Sequence, residues 1–304
     1  MCAEDKGMGR REGREEKIRK AKVKRKKNEE PEFYKSATNQ PLLNYKVYRM
    51  KKKETLLWFA VAFAIGAAVA YLFYGGIGRD SYGQATMVTR ISDTILTVSF
   101  GTLAGCLFIP IRRKQIIAKR TKQLRAQFID MLDSLGASIA AGKNIPNAFM
   151  AARADLLIQY PEEAYIINEL NQIIAGFENN IPIEEMLADF GRRSDIKDIE
   201  NFGKVFEVSY RKGGNIKDVV RNTNEILNTK TVIELEIQTK VAASKREQNL
   251  MFVMPVLIVG MVKMGGGDFA DNFVTPTGLI STTIAIGMFV VAYFVGRSVL
   301  KIEV

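Results

Sequence analysis

Four stretches of this chain carry no charged side chain, and they restrict its fold more than any other feature. Thr55–Tyr74 is uncharged over twenty residues, Thr94–Ile111 over eighteen and Gly278–Gly296 over nineteen. Leu250–Val262 adds a shorter run of thirteen, followed by Lys263 and a glycine triplet. Crossing the hydrocarbon core of a bilayer takes about 20 apolar residues. The first, second and fourth runs meet that length. The third reaches it only if Lys263 draws its ammonium to the interface while its stem stays in lipid. The expectation is four transmembrane helices, the alternative for each run being a buried core helix.

The basic residues set the expected orientation. Residues 1–54 hold eighteen Lys and Arg, and a further basic group, Arg112, Arg113, Lys114, Lys119 and Arg120, follows the second run. Lys240, Lys245 and Arg246 precede the third run, and Arg297 and Lys301 follow the fourth. The two connections expected to face outward are poor in Lys and Arg. The positive-inside rule then puts both termini and the middle of the chain in the cytoplasm, in a multi-pass protein of the cell membrane. No cleavable signal peptide is expected, since the first apolar run starts only at Thr55 and is too long for one. The chain thus divides into a basic, largely disordered segment (1–54), two spans with a short outward loop (55–111), a cytoplasmic domain (112–249), and two spans with a short tail (250–304).

The chain has no histidine, a net charge of +11 and two cysteines, Cys2 and Cys106. Lack of histidine excludes Ser-His-Asp and Cys-His catalysis and His-ligated metals. The cysteines form neither a zinc pattern nor a disulfide framework. The paired carboxylates Asp130/Asp133, Glu162/Glu163 and Glu184/Glu185 read as solvated helix faces or caps. No phosphate-binding glycine loop with Lys is present. We therefore expect no cofactor, no metal and no catalysis. No span has an ionisable group near its centre, which counts against a pump or transporter. The basic run 9–30 lacks interleaved aromatic residues, so membrane lipids, rather than nucleic acid, are its expected partner.

The middle region has apolar residues at helical spacing. Leu124, Phe128, Met131, Leu132, Leu135 and Ile139 follow three- and four-residue steps, and so do Ile196, Ile199, Phe202 and Phe206. Asn-Ile pairs recur at 144, 180 and 215, each in a turn-like setting. Gly142, Gly213 and Gly214 suit a left-handed residue after a helix. Asn144, Asn180 and Asn215 suit the cap of the next helix, and Pro146 and Pro182 its first turn. Three such elbows predict six helices in paired hairpins, an all-α domain. From Asn215 to Met254 there is neither Gly nor Pro, so one helix should run into the third apolar run, with Pro255 as a kink.

These features together resemble the F domain of type II secretion systems, and most of all the inner-membrane platform proteins of tight-adherence (Tad) pili. Four segments carry the resemblance: Phe128–Phe149, Gly176–Leu187 with Phe190–Arg193, Phe202–Val220 around Gly213-Gly214, and the polar helix through Ala242, Lys245 and Arg246 to Pro255. Lys230 stands where similar sequences often have Arg, and the basic N-terminus lies outside the resemblance. The resemblance implies a non-enzymatic membrane platform for a type IV-like pilus or a pseudopilus. Its implied partners are a cytoplasmic hexameric secretion ATPase, pilin or pseudopilin subunits, and a second copy or a paralogous platform protein. Arg192, Arg193, Arg211 and Lys212 are the candidate partner contacts. The competing readings are a small transporter or channel component and a membrane-tethered adaptor.

Overall fold

In a computed structural model, residues 31–35, 41–77, 86–265, 272–273 and 275–299 are described. The described chain is helical except for one small hairpin. Its strands are β1 (Phe33–Lys35) and β2 (Pro41–Leu43), antiparallel with Tyr34 opposite Leu42. Eight helices follow: α1 (Lys52–Tyr74), α2 (Met87–Ala140), α3 (Ile145–Gln159), α4 (Tyr165–Glu178), α5 (Ile183–Ser194), α6 (Lys197–Arg211), α7 (Ile216–Gly265) and α8 (Pro276–Val299). Of the segment expected to be disordered, residues 1–30 and 36–40 lie outside the described residues. The rest of it forms the hairpin, the turn after it and the start of α1.

The chain divides into two compact units. The first joins residues 1–49 to 117–221. Its core is the helical pattern read from the sequence, with Leu124, Phe128, Met131, Leu132 and Leu135 of α2 all buried. Phe128 packs edge-on against Phe190 of α5 and Phe202 of α6, at 6.1 and 5.5 Å between ring centroids. Phe206 meets Phe149 of α3 in the same way. Such ring pairs add about 0.5–1.5 kcal/mol beyond their area.

The elbows between helices share one hydrogen-bond pattern. Lys143 N–H donates to Ser138 O and Gly142 N–H to Ile139 O, closing the end of α2. Ile181 N–H to Gly176 O and Asn180 N–H to Phe177 O do the same for α4, and Gly214 N–H to Ser209 O for α6. The left-handed residues at these three helix ends are Gly142 (φ 85°), Asn180 (φ 61°) and Gly213 (φ 71°). This is the Schellman ending, which satisfies carbonyls that a helix end leaves unpaired. Asn180 therefore does not cap the next helix, as its place in the repeat suggested. It ends the previous one, because Asn tolerates left-handed backbone better than other side chains. Pro182, at the N-cap of α5, makes no side-chain cap bond. Asn144 does cap α3, its Oδ1 accepting from Asn147 N–H at 3.0 Å, with Pro146 in the first turn. The Asn215 side chain instead donates to the Asp218 carboxylate at 2.6 Å.

The second unit joins residues 50–116 to 222–304. Three helices are long and apolar enough to cross a membrane: Lys52–Tyr74, Met87–Ala140 and Pro276–Gly296. Helices α1 and α2 pack antiparallel through small residues. A Cβ at Gly66 would lie 2.6 Å from that of Ala104, while Phe63 covers Gly101 and Phe59 covers Gly105. The third apolar run, Leu250–Val262, closes α7, and Pro255 lies inside that helix without ending it.

Candidate functional site

The four expected partner contacts lie on α5 and α6. Arg192 and Arg193 are in the last turn of α5, Arg211 in the last turn of α6, and Lys212 caps α6. Arg211 pairs with Glu184 of the first turn of α5 at 3.4 Å, so the end of α6 lies beside the start of α5. Eight residues of helix, about 12 Å, separate Glu184 from Arg192. The basic residues therefore form two points rather than one patch. Arg192 is well exposed, with only Asp189 at 3.3 Å, while Lys212 is exposed and Arg211 also bonds Glu207 at 3.4 Å.

Arg193 does not face outward, which corrects its assignment as a partner contact. It is 4% exposed. Its Nη1 and Nη2 donate to the two oxygens of Glu169 at 2.9 and 2.6 Å, and its Nε donates to Asp189 at 2.7 Å. The remaining Nη1 proton reaches Leu43 O at 3.1 Å. Burial opposes its charge, but the bonds to Glu169 and then Asp189 outweigh it and raise its pKa further. Guanidinium geometry suits this role: a planar fork that holds a carboxylate by two parallel bonds.

Glu169 belongs to the same cluster and was not singled out from the sequence. Its signal was there: with Ile166, Leu170 and Ile173 it occupies the buried face of α4, a lone charge on an apolar stripe. Tyr45 supplies the third member. Its hydroxyl donates to Glu169 Oε1 at 2.8 Å, its N–H donates to Arg193 O at 3.1 Å, and its ring stands edge-on to Tyr165. Burial, then the Glu169 charge, pushes the Tyr45 hydroxyl well above the usual tyrosine range. It therefore stays a donor.

Around this anchor the N-terminal chain is sewn to the helices. Asn44 donates to Pro31 O, Lys46 pairs with Asp195, and the Arg120 guanidinium lies 4.3 Å over the Tyr48 ring. An open cleft of ≈ 470 Å³ lies beside it, lined by Tyr34, Lys46, Asp189, Arg192, Asp195 and Glu200. Both signs of charge line it.

No family model, curated protein or solved structure matches this chain.

What the site can do follows from its geometry. No described group of three or more His, Cys, Asp or Glu is arranged to hold a metal ion. Arg193 is committed on every nitrogen. Of the paired carboxylates, Asp130 accepts from the Tyr160 hydroxyl and Glu184 is 7% exposed beside Arg211, while Glu162, Glu163 and Glu185 are exposed. Glu184 is thus not on a solvated face, since the end of α6 covers the start of α5. The cluster is an internal clamp that fixes the strand-and-turn segment 41–48 on α4 and α5. Of the four expected contacts, it leaves Arg192 and Lys212 exposed, and Arg211 exposed but paired with Glu184 and Glu207.

Proposed function

We propose that this chain is a membrane platform for assembling a type IV-like (Tad) pilus or a type II secretion pseudopilus. It couples a cytoplasmic secretion ATPase to the extraction and polymerisation of pilin subunits. Two things support the reading. One is the resemblance over the middle and C-terminal regions. The other, which carries it, is helix continuity: α2 runs unbroken from a membrane-length apolar segment into the first unit, and α7 runs from that unit into the third apolar run. In this reading the two helices are the route by which movement of the first unit reaches the apolar segments.

The apolar end of α7 is a further span in this reading, the third in chain order. Its neighbours favour that. Phe252 packs on Phe289 and Tyr293 of α8 at 6.3 and 5.1 Å. Lys263 Nζ donates to Phe73 O and Gly75 O at 3.4 and 3.2 Å, closing the end of α1 with a cation. Both termini and the first unit are then cytoplasmic, and the ATPase meets Arg192 and Lys212, not Arg193.

Purification in mild detergent from the native membrane, followed by mass spectrometry, tests this. A secretion-type ATPase and pilin-like subunits should accompany the chain. Arg192→Glu with Lys212→Glu should remove the ATPase and leave expression unchanged. Absence of both partners despite abundant bait would defeat the platform reading in favour of an adaptor.

A further inference from the structure

The packing of α1 on α2 fixes where their basic flanks meet. Phe63 covers Gly101, Phe59 covers Gly105, and the Trp58 ring lies 6.0 Å from Phe108. Each step back along α1 is a step forward along α2. One turn further, the Arg112 guanidinium lies 4.2 Å over the Trp58 ring. The same end of the helix pair then carries Lys51, Lys52 and Lys53 from α1, and Arg112, Arg113 and Lys114 from α2. Neither stretch holds a carboxylate, and Glu54 adjoins the first. Five of the six cations are exposed, and Arg112 is half-buried.

We infer that this collar binds the headgroups of anionic phospholipids. The inference needs α1 and α2 to lie in a bilayer and does not rest on the platform reading. Two demands meet at the collar. The cations call for a phosphate, and directly beneath them the helix sides are exposed hydrocarbon: Leu56 is 69% exposed, Leu57 57% and Leu107 59%. A phospholipid satisfies both at once. Free phosphate and nucleic acid satisfy only the first.

Arg112 is the most constrained member. Stacking on Trp58 holds the plane of its guanidinium, and Nη1 donates to Gln115 at 3.1 Å. Its Nε is shielded from solvent and has no hydrogen-bond partner among the described residues. A guanidinium whose plane is fixed in this way is suited to a phosphate at its open nitrogens. Trp58, with an apolar ring and a polar N–H, belongs at a membrane interface.

Trp58 is the sole tryptophan of the chain, so its emission reports from the collar alone. The test is reconstitution of the full chain in equimolar phosphatidylglycerol and phosphatidylcholine, with bromine on the acyl chains of one lipid or the other. Brominated phosphatidylglycerol should quench Trp58 with a preference of about fivefold or more, the ratio that one cation near an anionic surface supplies. The preference should fall to about one in K51Q/K52Q/K53Q/R112Q/R113Q/K114Q, which removes all six collar cations and spares Trp58, and it should shrink in the native chain at high salt. Circular dichroism checks that the variant keeps its helix content; if it does not, the native chain's salt titration decides. Equal quenching by the two lipids would overturn the inference. So would a preference that persists in the folded variant, or one that millimolar inorganic phosphate abolishes, since the site would then take phosphate rather than lipid.

Discussion

Replacing Tyr45 with phenylalanine removes one hydroxyl from a buried site and leaves the ring that fills it. The lost bond runs to a carboxylate at 2.8 Å, and hydrogen bonds to charged groups are worth about 1.5–3 kcal/mol. Glu169 keeps both bonds from Arg193, at 2.9 and 2.6 Å, so no charge is left bare. That places the cost at the lower end, about 1.5 kcal/mol, or roughly a tenfold larger population of the undocked segment. Glu169→Gln is more severe, because it breaks a buried ion pair. Removing one partner of such a pair costs about 3–5 kcal/mol, and here Asp189 at 2.7 Å retains part of the pairing. Hydrogen exchange on the full chain in detergent separates the two. Tyr45→Phe should speed exchange about tenfold in residues 41–47 and leave α4 unchanged, since local openings expose only the amides they release. Glu169→Gln should speed both. If Tyr45→Phe leaves residues 41–47 within twofold of the native rate, the Tyr45 hydroxyl does not hold the segment, and the clamp described here is wrong.

Two further outcomes follow from the same structure. Burial and the bond to Asp130 raise the Tyr160 hydroxyl to about 12 from the model-compound value of 10; its stabilisation is complete below pH 10 and is lost as pH rises towards 12, so thermal unfolding should steepen across that window and Tyr160→Phe should flatten it. On the platform proposal, inserting Gly-Gly after Glu236 should interrupt α7 and abolish filament assembly while membrane insertion stays normal; normal assembly would remove helix continuity as the coupling element.

The helices were legible because the apolar spacing that predicts them is the spacing that buries them. Leu124, Phe128 and Phe206 are fully buried on the faces that periodicity assigns. The glycine elbows were legible because few residues accept their backbone. Asn180 was misplaced for a related reason. The Asn-Ile repeat is a repeat of letters, and the chain uses it twice after a left-handed residue and once as that residue. The β-hairpin was not legible, since three-residue strands are too short to show alternation. The Tyr45 clamp was half legible: Glu169 and Arg193 each break an apolar stripe, which announces a partner but not which one. Counting exposed cations could not have removed Arg193 from the partner surface, because its burial depends on a tyrosine far away in the chain.

That distance has a consequence for how the protein is made. Tyr45 and Glu169 are 124 residues apart, and the apolar α1 and the apolar start of α2 are translated between them. A ribosome adding about 5–20 residues per second takes roughly 6 to 25 s to cover that interval. During that time the segment 41–48 has no surface to dock on, and both apolar helices emerge before α4 and α5 exist. The clamp thus forms late, after the first helix pair has been committed to its surroundings. A nascent chain halted between residues 117 and 160 should carry a Tyr45 segment open to protease, and one released after α5 should not.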